Sequence, residues 1–193
     1  MEITHATKQI IELGKFLFEY GYVVASDGNI SIRLNKKEIL ITRSGVCKGE
    51  LKIGDIVKIG TNNWKIKNTD YKIMPSSEYR MHLAIYANRP DINAVIHAHP
   101  PFATSFAVSG RKLNINLLTE TEQLLGSIKY LGYYQPGSVK LAKAVSKAVI
   151  RHNVIILGKH GVVVGGKDLT EARYRLERLE FLAKVSWLVL LAQ

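Results

Sequence analysis

"NAVIHAHPPFATSF", residues 93–106, places two of the chain's six histidines one residue apart, at the end of an apolar run and directly before two prolines. Side chains alternate across a strand, so His97 and His99 face the same side and their imidazoles converge on one point. That arrangement is costly unless something sits between the rings. Imidazole is the commonest neutral metal ligand, and two of them on one strand face make an incomplete metal site. The same stretch sets the local pattern: a strand from Ala94 to His97, then a short helix around Phe102 to Val108.

The flanking segments predict alternating strands and helices. Upstream, "PSSEYRMHLAIYANRP" (75–90) reads as a helix started by Pro75 and two serines and stopped by Asn88 to Pro90. The opening segment predicts a helix over Thr4 to Tyr20 with Gly21 as its stop, its apolar stripe including Ile10, Leu13 and Leu17. "NISIRLNKKEILIT" predicts strands Ile30–Leu34 and Glu38–Thr42 around a polar turn, and Asp55–Gly60 a further strand, with a hairpin or surface loop over 61–70. Downstream, "PGSVKLAKAVSKAV" (136–149) opens a long helix, and "NVIILGKHGVVVGG" (153–166) gives two strands around a Lys-His-Gly turn. A last helix starts near Asp168, capped by Asp168 or Thr170. Interleaved and mostly hairpin-connected elements predict an α/β or α+β layered fold, and 193 residues suit one domain spanning 1–193.

Composition narrows the function classes. Hydrophobic residues make up 47% and charged residues 22%, as in a globular protein. The net charge of +11 comes from scattered lysines, without basic runs interleaved with aromatics. That argues against nucleic acid and for a basic surface that draws in a phosphorylated ligand. One cysteine, Cys47, excludes an internal disulfide and any multi-cysteine metal site, which suits a reducing cytoplasm. The first residues show no export signal. "FLAKVSWLVLLAQ" is interrupted by Lys184 and too short for a bilayer, so it reads as a buried helix or a subunit contact rather than a membrane segment.

Other residues complete the candidate site. His160 lies just past an apolar strand and before a glycine, a strand-end position suited to a third ligand. His5, His82 and His152 lack such settings and read as surface or helix histidines. Glu78 alone would be a first-turn glutamate complementing the helix dipole, but beside Ser76 and Ser77 it stands where free N–H groups offer an anion site. A carboxylate there, in a chain with three candidate imidazoles, points to acid/base work at a metal. The loops "ASDGNIS" (25–31) and "TRSGV" (42–46) each set hydroxyl residues around a glycine. Either alone reads as turn chemistry; together with the serines they make three nests of donors without a Walker-type lysine loop, which suits a monophosphate.

The ordered set "SDGNIS", "TRSG", "PSSE", "HAHP" and "KHGVVV", with "YQPGS" between, resembles the class II aldolase and adducin head-domain family over nearly the whole chain. In pattern it is most similar to the L-fuculose-phosphate aldolases. The resemblance implies a three-layer α/β/α domain around a central, largely antiparallel sheet, assembled as a homotetramer with sites between subunits. It implies Zn²⁺ held by His97, His99 and His160, with Glu78 as the acid/base that also approaches the metal. Phosphate contacts carry over to Ser26, Gly28 and Asn29, to Ser44 and Gly45, and to Ser76 and Ser77. Asp27 stands where the family commonly has a small neutral residue, and its charge would repel a phosphate unless it points away.

Three neutral imidazoles would leave a zinc its full charge and an open face, able to polarise the carbonyl of a 1-phosphoketose and stabilise the enediolate left by aldol cleavage. The expected reaction is cleavage of a ketose 1-phosphate, such as L-fuculose 1-phosphate, to dihydroxyacetone phosphate and an aldehyde. The same pattern admits a dehydratase of the methylthioribulose-phosphate type, a 4-epimerase, whose members carry aspartate at the Glu78 position, or a non-catalytic adducin-like module. The aldolases also use a tyrosine from the neighbouring subunit; here Leu118 falls at that position, no tyrosine occurs between Asn114 and Gly126, and Glu120, Glu122, Tyr130, Tyr133 and Tyr134 lie near.

Overall fold

The computed structural model describes residues 3–61 and 74–192, so all but the first residue of the expected 61–70 loop lies outside the described residues. In chain order the elements are α1 (Ile3–Glu19), β1 (Asn29–Arg33), β2 (Glu38–Thr42), β3 (Ile56–Gly60), α2 (Tyr79–Asn88), β4 (Ala94–Ala98), α3 (Pro101–Ser109), α4 (Thr119–Leu125), β5 (Ile128–Leu131), α5 (Val139–Ala148), β6 (Val154–Leu157), β7 (Gly161–Gly166) and α6 (Leu169–Leu191). Among the described residues the strands form one seven-stranded sheet in the order β3-β2-β1-β4-β7-β6-β5. Every neighbouring pair is antiparallel except β5–β6, which is parallel and joined through α5.

Each face of the sheet buries its own core, which makes the three layers. On one side α1, α3 and α6 cover Ile30, Ile32, Ala94, Ile96, Val162 and Val164. On the other, α2 and α5 cover Ile39, Ile41, Val95, Ile155 and Val163. The alternation of Ile96 to one core and Val95 to the other, repeated across the sheet, shows why β6 and β7 carry no polar side chain at any position. His97 falls on the α2/α5 face with Val95, and it is fully buried.

Local signals place most element ends. Tyr22 N donates to Leu17 O and Gly21 N to Phe18 O, the paired bonds that close a helix at a glycine. Ser138 caps α5 through Leu141 N, and Asp168 caps α6 through Glu171 N.

Some expectations are corrected. The α2 helix begins at Tyr79, later than Pro75 suggested, because Pro75 instead bridges to Arg43, Ser76 N donates to Thr42 O and Glu78 takes the cap position. Tight hairpins join only β1–β2 and β6–β7; β3 reaches β4 through α2, and β4 reaches β5 through α3 and α4. The β5 strand, buried only in part, went unpredicted. The end of α6 is not a buried helix: Phe181, Leu188 and Leu191 are exposed. No described helix is long and apolar enough to cross a membrane.

Candidate active site

The β-sheet brings three sequence-distant segments to one end. Asn29 pairs with His97, and His97 pairs with Val163, so the SDG loop before β1, the HAHP end of β4 and the Lys-His-Gly turn before β7 lie side by side. Two glycines permit the crowding. A Cβ on Gly28, whose φ is +70°, would come within 2.8 Å of the His97 carbonyl oxygen. A Cβ on Gly161 would collide with the His99 ring and lie 2.6 Å from the Ala98 carbonyl oxygen.

His97, His99 and His160 offer ligand atoms that all lie within 4.8 Å of one another. Their hydrogen bonds fix which atoms face inward. His97 Nδ1 donates to Val162 O at 2.9 Å, and His99 Nδ1 lies 3.4 Å from Asp27 Oδ2. With both Nδ1 atoms protonated, the two Nε2 lone pairs confront each other at 3.1 Å, an arrangement that calls for a cation between them. Two further buried atoms lack a partner among the described residues, His160 Nδ1 and Glu78 Oε1. The donor set therefore fits a divalent metal. In the chain alone a proton meets part of that demand: burial opposes charge on His97, but the Glu78 carboxylate and the Val162 carbonyl raise its pKa. Burial first, and His97 next, push His160 down to about 4 and lower His99, which favours the neutral ring at both.

Glu78, buried at the α2 cap, sets Oε2 3.0 Å from His97 Nε2 and Oε1 3.9 Å from His160 Nε2. Burial disfavours its anion, yet His97, His160 and the Asn29 amide outweigh that and hold the carboxyl well below the usual range. Asn29 Nδ2 donates to Glu78 Oε2 at 3.1 Å.

That amide is held by a residue the sequence reading missed. Of the two readings, surface or helix histidine, the structure bears out the second: His82 lies in α2 and is completely buried, with Nε2 bonded to Asn29 Oδ1 and Nδ1 to Ser31 Oγ at 2.6 Å; Ser31 Oγ in turn bonds Tyr86 Oη at 2.7 Å. Since Asn29 Oδ1 can only accept, His82 carries its proton on Nε2, and Nδ1 accepts from Ser31. The donors thus run in one direction, from Tyr86 through Ser31 to His82 and on through Asn29 to Glu78. The spacing of His82 four residues after Glu78, on one helix face, was the available signal.

A cleft of about 390 Å³ opens beside the carboxylate and the rings. The residues expected to hold phosphate all line it: Ser26, Gly28 and Asn29 from one loop, Ser44 and Gly45 from the second, Ser76 and Ser77 from the third. Ser76 Oγ accepts from Glu78 N at 3.3 Å, leaving its hydroxyl hydrogen available. Asp27 also lines the cleft, with its carboxylate turned to His99. Arg43 and Lys48 line it too, and neither was singled out from sequence. The tyrosines expected nearby do not. Tyr130 Oη accepts from Leu113 N at 2.8 Å, Tyr134 packs toward the α2/α5 core, and Tyr133 is exposed.

The family model described as Class II Aldolase and Adducin N-terminal domain matches residues 8–187. A protein of Methanocaldococcus jannaschii named L-fuculose phosphate aldolase is 39% identical over 186 residues, covering 96% of this chain and 98% of that one. One of Pectobacterium atrosepticum named 3-oxo-tetronate 4-phosphate decarboxylase is 30% identical over 188 residues, covering 95% and 84%. The crystal structure of L-fuculose-1-phosphate aldolase from Thermus thermophilus superposes with a TM-score of 0.88 at 25% identity, covering 98% of this chain and 96% of that one.

Proposed function

Since the chain belongs to the class II aldolase and adducin N-terminal domain family, we propose that this aldolase-type lyase is a single-domain, zinc-dependent enzyme that cleaves a ketose 1-phosphate such as L-fuculose 1-phosphate into dihydroxyacetone phosphate and an aldehyde. The observation that carries this reading is the junction of two features in one cleft: a buried carboxylate against three converging imidazoles, and three donor-rich loops beside them.

His97, His99 and His160 would hold the metal, with Glu78 close enough to approach it. A divalent ion there supplies positive charge that polarises a substrate carbonyl and disperses the negative charge of bond cleavage. The loops bearing Ser26, Gly28, Asn29, Ser44, Gly45, Ser76 and Ser77 bind the phosphate and so fix C2 and C3 of the substrate relative to Glu78. When the C3–C4 bond breaks, its electron pair passes to C3 and into the C2 carbonyl system, while the C4 hydroxyl gives up its proton to form the aldehyde. Glu78 delivers the proton to C3, and in the synthetic direction removes it. Asn29 and His82 orient the carboxylate so that Oε2 is bound and Oε1 is free for that transfer. The family resemblance implies that the group receiving the C4 hydroxyl proton comes from a neighbouring subunit, and among the described residues no tyrosine lines the cleft. This agrees with a homotetramer, and we place the enzyme in the cytoplasm.

The decarboxylase relative favours a second reading, in which the same carbanion chemistry releases carbon dioxide from a 3-oxo acid phosphate. Incubating zinc-loaded protein with L-fuculose 1-phosphate and, separately, with 3-oxo-tetronate 4-phosphate decides between them. Dihydroxyacetone phosphate from the first supports the lead; carbon dioxide from the second, with no triose phosphate from the first, replaces it.

A further inference from the structure

The loops that carry Ser26 and Ser44 leave the same end of β1 and β2, where Ser31 pairs with Ile41 and Ile30 N donates to Thr42 Oγ1. Beyond that pairing one side chain joins them. Lys48, only 1% exposed, donates from Nζ to Ser26 O at 2.8 Å and to Val46 O at 2.6 Å. Two of its three N–H groups are thereby used. Among the described residues no carboxylate lies within ion-pair distance of it, whereas Arg43 on the same cleft is paired to Asp55 at 3.3 Å. Burial pushes the Lys48 ammonium down to about 8, with Cys47 and Asp27 opposing, so it remains mostly charged at neutral pH.

A buried ammonium held by two carbonyl dipoles has hydrogen bonds but no carboxylate in contact with it, which is a costly state in a folded chain. It faces a cleft lined by hydroxyls and backbone donors, into which an anion is expected. We propose that Lys48 is a positioning residue of the phosphate site: it ties the Ser26 loop to the Ser44 loop, and its charge is completed by the bound phosphate dianion. The inference rests on the phosphate reading of the cleft given above. A lysine serving only as a mechanical tie would need donors but no charge, and the two roles separate experimentally.

The probe is inorganic phosphate, titrated by calorimetry into the wild type, Lys48→Met and Lys48→Gln, with circular dichroism as the check on folding. Lys48→Gln keeps an N–H donor for a loop carbonyl but loses the charge, and it carries the comparison if Lys48→Met does not fold. The expected result is phosphate affinity weaker by about tenfold or more in the folded neutral variant, with KM for the phosphorylated ketose rising while KM for the unphosphorylated ketose stays put. Lys48→Arg should restore most of the affinity. Unchanged phosphate affinity in a folded neutral variant overturns the role of Lys48 and leaves the aldolase reading standing. Failure of the wild type to bind phosphate at all overturns the phosphate reading of the cleft itself.

Discussion

At the residue scale, the site depends on which atoms are left without partners. Glu78 Oε2 is held by Asn29, and Asn29 is held by His82, so removing a ring that touches no substrate should disturb proton transfer. His82→Ala is expected to lower kcat about 10- to 100-fold while the metal content stays near that of the wild type. Burial, together with His97, pushes His82 down to about 3 from an ordinary 6.5. Between those values the unfolded chain takes up a proton that the folded one refuses, so stability falls as pH drops from 6.5 toward 3, by up to ~1.4 kcal/mol per pH unit from this group. Urea titrations across that window should show a shallower fall in His82→Asn; an identical slope contradicts the burial argument. The three metal-candidate histidines were legible because strand alternation and a glycine turn fix their direction from sequence alone. Lys48 was not, because one lysine in "GVCKGE" resembles any surface lysine until the fold closes over it.

The elements hold this geometry by docking ends against one another. The α3 helix follows His99 directly and its first turn has no cap of its own. Instead the buried Glu180 of α6 accepts from Phe102 N at 2.9 Å and Ala103 N at 2.8 Å. Those are unsatisfied N–H groups of a helix start, and the negative charge suits that end of the dipole. Glu180→Ala should cost about 1–3 kcal/mol, measured as a lower denaturation midpoint in urea; a change within error would mean solvent substitutes for the carboxylate. Apolar periodicity and caps exposed α1, α5 and α6 in the sequence, because each has an amphipathic stripe or a Ser or Asp start. The β5 strand was hidden, since a four-residue edge strand with no fully buried residue has no pattern to recognise. The start of α2 was misplaced because Pro and Ser favour helix starts locally, while the sheet claims Pro75 and Ser76 for the Arg43 and Thr42 backbone.

For the whole molecule, the three-layer order was legible from the family resemblance, whereas the crossovers that set strand order involve long-range pairing that periodicity does not encode. The far half of α6 leaves Phe181, Trp187, Leu188 and Leu191 exposed, an apolar surface suited to the contact between copies that the proposed tetramer needs. Sedimentation should give the mass of four 21.6 kDa chains, and Leu188→Glu should dissociate them; a monomeric wild type refutes the assembly. Function then rests on the cleft, the rings and Glu78 acting together, and that union is open to a test needing no aldehyde. Dihydroxyacetone phosphate dissolved in D₂O with zinc-loaded protein should exchange one carbinol hydrogen for deuterium, followed by NMR, and Glu78→Gln should abolish the exchange. Absence of exchange in the wild type, or undiminished exchange in Glu78→Gln, would contradict the account.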